Sequence, residues 1–257
     1  MNFPFYIARR YLFSKKSHNA INIISMVSVC GIVVATVALV CALSVYNGFS
    51  DLVSSLFSNF DPELKITPRS GKVFDPKASV FDEVRTMDEI ECYSEVLQDN
   101  ALIVYKGRQV VATLKGVDAE YEHLASIDSI LIDGAFRLND EVANYANMGI
   151  GLAYALGINA GFVSPMEIYV PKRDAKVNMS NPVSSFNVDY AFISSVFRTD
   201  QQAYDETYMI VPLDLARSLF QYETEVSAIE LKVRDGADVG QVKSKLRGLL
   251  GDEYEVK

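Results

Sequence analysis

Between Ala20 and Ser50 the chain carries no charged side chain, and from Ile21 to Tyr46 almost every residue is apolar or small. A helix needs about 20 such residues to cross the hydrocarbon core of a bilayer. The stretch therefore predicts one membrane-spanning helix. Its flanks set a direction: Arg9, Arg10, Lys15 and Lys16 precede it with no acid among them, and the first charges after it are Asp51, Asp61 and Glu63. Because an excess of Lys and Arg marks the cytoplasmic side of a span, the N-terminus is expected inside and the rest of the chain outside. The run exceeds the about 7–15 apolar residues of a signal-peptide core, which favours an uncleaved anchor.

Two periodicities refine this reading. Ser28, Gly31, Ala35, Ala38 and Ala42 recur at steps of three and four, so one face of the helix is a stripe of small residues. Such a stripe admits close approach of a second helix; a lone anchor, in which small residues are common anyway, is the alternative. Beyond the span, Phe49, Leu52, Val53, Leu56, Phe57 and Phe60 keep helical spacing with polar residues between them, an amphipathic continuation. The helix is thus expected to run from residue 20 to 60 as a transmembrane segment plus stalk. Upstream, Phe3 to Phe13 mixes aromatics and aliphatics with Arg9 and Arg10, which suits a short helix in the inner headgroup layer, part of a cytoplasmic interfacial segment over residues 1–19.

Charge excludes some partners. The whole chain has a formal net charge of −9, and setting aside the four basic residues before the span leaves 20 basic against 33 acidic side chains, a net of −13. An acidic exterior disfavours nucleic acid. Of the three cysteines, Cys30 and Cys41 lie in the span and Cys92 is alone beyond it, so the exported part can form no internal disulfide. No base flanks Cys92 in sequence, which makes it a buried small hydrophobe rather than a nucleophile.

Three blocks in order carry a family resemblance: Ile7-Ala8-Arg9-Arg10-Tyr11-Leu12; Ile24-Ser25 with Ser28 and Gly31-Ile32; and Leu43-Ser44-Val45-Tyr46-Asn47-Gly48-Phe49. Together they resemble the N-terminus of lipoprotein-releasing permeases of the LolC and LolE type, in the MacB-like superfamily of ABC transporters. Ala35 departs from the glycine that such permeases carry there.

The exported part reads as strands and short helices. Leu64 to Pro68, Ala101 to Tyr105, Gln109 to Val117, Met166 to Val170, Val188 to Phe197, Tyr208 to Pro212, Ala228 to Val233 and Tyr254 to Val256 have strand character. Lys106-Gly107-Arg108 reads as a hairpin turn. Helices are expected over Asp75 to Met87, Leu213 to Gln221 and Val239 to Leu250. The spacing of Asp88, Glu89, Glu91 and Glu95 does not gather on one helical face, so a solvated acidic edge is expected there rather than a metal cluster. Ile150 to Gly157 and Val196-Phe197-Arg198-Thr199 with Tyr204-Asp205 again resemble the family. The strand, helix, strand units at the two ends of the exported part suggest a ferredoxin-like porter subdomain.

The fold expected is α+β: one long transmembrane and stalk helix, then a mixed α/β periplasmic domain. In it a porter-like subdomain, residues 61–116 and 191–257, receives a smaller inserted subdomain, residues 117–190. The polar stretch Lys172 to Ser185 is longer than a tight hairpin needs and is either a surface loop or a protruding hook. In the resemblance, that position belongs to the hook that captures a soluble lipoprotein carrier, with Arg173, Val177, Met179 and Pro182 as its candidate contacts.

Catalytic motifs are missing from the sequence: no G-x-x-x-x-G-K-[ST], G-x-S-x-G, H-E-x-x-H or paired-cysteine pattern occurs. No catalytic, cofactor-binding or metal-ligating residue is expected, and the chain is expected to be a non-catalytic subunit. The resemblance implies ATP hydrolysis in a separate ABC ATPase subunit, a second permease subunit, a lipoprotein substrate, a periplasmic carrier and contact with membrane lipids of the inner membrane. It places Val45, Phe49, Val53 and Leu56 as candidate contacts to acyl chains, with plain helix packing as the alternative. Similar permeases carry three more membrane helices after their exported domain, so the chain is expected to continue past Lys257. Other readings are a MacB-like pump, a division-linked permease and a single-span binding module.

Overall fold

The computed structural model describes residues 3–12, 19–58, 60–125, 127–140, 142–161, 164–173 and 185–257. Two compact units emerge, residues 1–55 and 56–257.

The first unit is helical. Helix α1, Phe3–Leu12, precedes α2, Asn19–Ser58, which passes without interruption from the uncharged run into the amphipathic stretch and ends in the second unit. Within α2, Ile23–Ser50 has a mean hydropathy of 2.7 and buries nothing inside the chain. At 1.5 Å per residue this segment is about 42 Å long, enough to cross the about 30 Å of hydrocarbon. Its hydroxyls are satisfied locally: Ser28 Oγ donates to the Ile24 carbonyl at 2.9 Å and Thr36 Oγ1 to the Ile32 carbonyl at 2.8 Å. Neither hydroxyl is therefore left as an unpaired donor on the apolar helix.

Among the described residues, the second unit is built on ten connected strands. Strand β1 (Leu64–Pro68), helix α3 (Ser79–Arg85) and strand β2 (Ile90–Tyr105) form the first strand, helix, strand unit. Strand β9 (Ala228–Val233), helix α8 (Val239–Leu250) and strand β10 (Tyr254–Val256) form the other. Their strands lie in the order β10-β1-β9-β2 with every neighbour antiparallel, which is the ferredoxin-like arrangement of two split units. Helices α3 and α8 cover one face through Phe81, Val84, Val242, Leu246 and Leu250. Asp238 caps α8, its carboxylate accepting from the backbone N–H of Gly240 and Gln241.

Between β2 and β9 in the chain come β3 (Arg108–Val117), α4 (Tyr121–Leu124), β4 (Leu131–Gly134), β5 (Tyr145–Gly149), α5 (Ile150–Leu156), β6 (Met166–Pro171), β7 (Phe186–Phe197), α6 (Gln202–Asp205), β8 (Tyr208–Pro212) and α7 (Leu213–Phe220). The pairings β2–β3, β3–β8, β8–β5, β5–β7, β7–β6 and β6–β2 close on themselves. These strands thus form a ring of six. Alternate residues Ile103, Leu114, Met148, Ile168, Ala191 and Met209 belong to its core, together with Leu152 of α5 and Leu219 of α7.

Strand β2 belongs to both parts: residues 90–96 pair β9, whereas 102–104 pair β6. It begins eleven residues before the expected Ala101, because the acidic residues at its start alternate with buried Ile90, Cys92 and Ser94. Of the acidic residues expected as a solvated edge, Asp88 and Glu91 are exposed and Glu89 is half-buried, while Glu95 is drawn further in by its ion pairs. Glu91 pairs with Lys232 at 2.8 Å, Glu95 bridges Arg85 and Arg217 at 2.5 and 3.0 Å, and Glu89 pairs with Lys245. The hairpin joining β2 to β3 turns at Lys106 and Gly107, both with positive φ (46° and 82°), as a two-residue turn of the strand-matching hand requires.

Candidate functional site

Phe60 is the first described residue after α2, and it is buried. Its ring is 2% exposed and meets Phe197 at 5.4 Å, Tyr204 at 4.6 Å and Tyr208, edge-on, at 5.7 Å. The next residue is held as well: the Tyr204 hydroxyl donates to Asp61 Oδ1 at 2.5 Å. Burial, and then the hydrogen bond to Asp61, push the Tyr204 phenol well above its ordinary range, so it stays a donor at neutral pH.

The segment Val196 to Asp205, singled out by family likeness, accounts for this socket. Phe197 ends β7 and Tyr204 sits in α6, and the turn between them is tied by Asp205, whose Oδ1 accepts from the Thr199 backbone N–H at 2.7 Å and Thr199 Oγ1 at 2.9 Å. Gly149 lets this turn come close, since a Cβ there would lie 2.3 Å from the Asp205 carbonyl oxygen.

Beneath Phe60 lies a buried ion pair that sequence reasoning missed. Lys115 of β3 and Glu230 of β9, 3% and 0% exposed, meet at 2.9 Å. Lys115 Nζ also lies within 2.9 Å of the Tyr121 hydroxyl and sits 5.2 Å from the centre of the Phe60 ring. Lys65 of β1 reaches the other Glu230 oxygen at 3.1 Å, an ion-pair contact without hydrogen-bond alignment. Burial pushes the Glu230 carboxyl up, but Lys115 and Lys65 outweigh it and hold the group below its usual range. The only sequence signal for this cluster was a charged residue at an inward-facing position in each of two apolar strands.

The other anticipated residues divide by unit. Val45 and Phe49 are exposed on α2, while Val53 and Leu56 lie outside the residues whose side chains are described. Ser28, Gly31, Ala35, Ala38 and Ala42 are all exposed on α2, and Gly31 has nothing within 4 Å of an added Cβ. Val177, Met179 and Pro182 lie outside the described residues. The base of their loop is described and is closed: Pro171 pairs Phe186, and the Lys172 N–H donates to the Ser185 carbonyl at 2.9 Å. Arg173 is anchored there, its guanidinium donating to the Gln221 carbonyl at 3.2 Å and lying over the Tyr222 ring at 4.3 Å.

Cys92 is buried, points its thiol to the Glu120 carbonyl at 3.2 Å, and burial pushes its pKa up to about 11. An inert thiol is what that environment makes. An open cleft of about 620 Å³ is lined by Glu95, Asp118, Phe136, Asp214 and Arg217 among others. Two of its carboxylates are already engaged, Glu95 by arginines and Asp118 by Ser94 Oγ and the Glu95 N–H.

A helix with a long uncharged run, followed by a ferredoxin-like domain with an inserted strand ring, defines the class. A family model, the MacB-like periplasmic core domain, matches residues 25–249, and the chain belongs to that family. It is 22% identical over 246 residues to the lipoprotein-releasing system transmembrane protein LolE of Haemophilus influenzae, covering 91% of this chain and 56% of that protein. It is 23% identical over 236 residues to the lipoprotein-releasing system transmembrane protein LolC of Neisseria meningitidis serogroup B, covering 90% and 54%. The chain thus spans about half the length of the curated relatives it matches. Among solved structures, the periplasmic region of MacB from Actinobacillus actinomycetemcomitans matches with a TM-score of 0.54 at 12% identity, covering 79% of this chain and 91% of that one. The extracellular domain of the noncanonic ABC-type transporter YknZ from Gram-positive bacteria matches with a TM-score of 0.51 at 10% identity, covering 76% and 98%. Both show the fold.

Proposed function

We propose that this chain is the N-terminal part of a permease subunit of an ABC transporter that extracts lipoproteins from the inner membrane and passes them to a periplasmic carrier. The observation that carries this reading is likeness to two lipoprotein-releasing proteins along nine-tenths of the chain, span and domain together. The four basic residues before the span put the N-terminus in the cytoplasm and the domain in the periplasm. With no nucleotide-binding motif in this sequence, hydrolysis falls to a partner ATPase, and the subunit's work is mechanical. The stripe Ser28, Gly31, Ala35, Ala38 and Ala42 packs against a neighbouring helix of the same or a second permease subunit. Val45, Phe49, Val53 and Leu56 are the candidate contacts to acyl chains. Residues 172–185, which join β6 to β7, are the carrier-binding hook.

Depleting the chain in its host and fractionating the membranes tests this: lipoproteins bound for the outer membrane should accumulate in the inner membrane. An unchanged distribution refutes the reading. A second reading, a MacB-like pump, is favoured by the fold likeness to MacB and YknZ. It expects normal lipoprotein sorting with increased sensitivity to exported small molecules or peptides. Failure to co-purify with any ATPase subunit would instead leave a membrane-anchored binding module.

A further inference from the structure

We infer that, within the second unit, the ferredoxin-like part and the strand ring are joined by a hinge with an apolar pivot on one face and an ionic latch on the other. The latch is Arg85–Glu95–Arg217 together with Lys72–Asp99. The inference concerns this unit by itself and stands whichever reading of its function holds.

Strand β2 runs through both parts, and the alternation of its side chains separates the two faces of the junction. On one face Cys92 and Val96 of β2 and Ala228 of β9 share a single apolar cluster with Val117 of β3, Phe197 of β7 and Ile210 of β8. Lys115 and Glu230 meet beside it, with Lys115 Nζ within 2.9 Å of the Tyr121 hydroxyl. On the other face the apolar residues fall into two separate clusters. Leu97 of β2 and Ala216 and Leu219 of α7 belong to the ring, whereas Phe81 and Val84 of α3 and Leu246 of α8 belong to the ferredoxin-like part. Across this second face an apolar contact, Val73 of the segment before α3 against the ring cluster, is accompanied by a set of polar ones.

Glu95 of β2 ties a helix of one part to a helix of the other. Its Oε1 accepts from Arg85 of α3 at 2.5 Å and its Oε2 from Arg217 of α7 at 3.0 Å. Arg217 also donates to the Thr224 carbonyl at 2.8 Å, but its buried Nε finds no hydrogen-bond partner among the described residues. The guanidinium is thus only partly satisfied. Further along β2, Asp99 accepts from Lys72, of the segment between β1 and α3, at 2.8 Å. Ion pairs between partly exposed groups are weak and are screened by salt, whereas apolar burial does not depend on charge. Parts of a chain move against each other unless a large apolar interface fixes them, and here an apolar cluster spans the junction on one face only. The junction therefore opens at the latch and pivots about that cluster. Glu95 and Arg217 also line the cleft of about 620 Å³, so release of the latch widens it.

The test uses the full chain in detergent, carrying Cys30→Ala and Cys41→Ala, with spin labels attached through Ser218→Cys on α7 and Ser244→Cys on α8, both exposed positions. Dipolar spectroscopy reads the distance between the two labels. At about 0.1 M salt, where charges act over about 10 Å, the chain should show one narrow distribution. Glu95→Gln at that salt should raise a longer-distance population about five-fold, the effect of losing a weak ion pair. Salt at about 1 M, where the range falls to about 3 Å, should move the chain with Glu95 intact in the same direction. Glu91→Gln, which breaks the pair with Lys232 inside the ferredoxin-like sheet, should leave the distribution as it was. Circular dichroism identifies a Glu95→Gln chain that fails to fold, and the salt titration then decides in its place. Distances that Glu95→Gln leaves unaltered overturn the latch, as do distances indifferent to salt where the salt titration decides. An equal shift in Glu91→Gln overturns it as well.

Discussion

The apolar segment Ile23–Ser50 and the second unit use similar residues in opposite ways. On α2, Val34, Leu39 and Phe49 are 67%, 62% and 64% exposed, whereas Phe60 is 2% exposed. This segment is apolar all round and buries nothing inside the chain, the pattern of a helix that lipid could solvate. In the domain, apolar residues alternate with polar ones along β2 and β6, because water covers one face and the core the other. Apolar side chains are therefore exposed in one region and packed in the other. Charge follows the same division: none enters the span, while in the domain even a fully buried lysine is admitted once Glu230 and Tyr121 receive it.

The sharpest break of this contrast is Phe60→Ala against Phe49→Ala. Loss of the buried ring should cost about 3–5 kcal/mol, seen as a lowered melting temperature of the domain in detergent, whereas Phe49→Ala should leave that melting unchanged. Next is an introduced charge. Leu39→Arg should disfavour insertion by about 2.5–3.5 kcal/mol at mid-span, read as loss of the carbonate-resistant membrane fraction. Val142→Arg, at a position 93% exposed on the domain, should do nothing to insertion or melting.

Acid sharpens the comparison further. The Glu230 carboxyl is held low when folded, so its contribution to stability is complete above the unfolded value of about 4.3 and is lost as pH falls through the folded one. Melting of the wild type should therefore drop more between about pH 6 and pH 3 than melting of the Lys115→Met, Glu230→Leu variant. Parallel curves would remove the pair from the account of acid stability. The smallest effect expected is that of Asp238→Ala, which removes the cap of α8 and should cost about 1 kcal/mol in denaturant unfolding of the domain. The start of α2 in the first unit should not register it.

How much was legible beforehand depends on the range of each interaction. The span, the two-residue hairpin at Lys106-Gly107, helices α3, α7 and α8, and strands β1, β6, β7, β8, β9 and β10 were readable, because hydropathy, period and turn chemistry are properties of neighbours in sequence. The start of β2 was not. Glu91 and Glu95 mask its alternation, and their partners Lys232, Arg85 and Arg217 come from β9, α3 and α7. Phe60 was visible only as one more apolar residue of an amphipathic stretch.

The sequence by itself determined that one segment is long and apolar enough to cross a membrane, which side its basic flank favours and where most regular elements lie, since hydropathy and local geometry are properties of contiguous residues. Only the tertiary structure decided that β2 is shared by two parts, that six strands close into a ring, and that Lys115 and Glu230 meet beneath Phe60. Those two charges are 115 residues apart in the chain. No local period encodes which strands will face each other, and burying both charges becomes favourable only when the fold brings them together in one place.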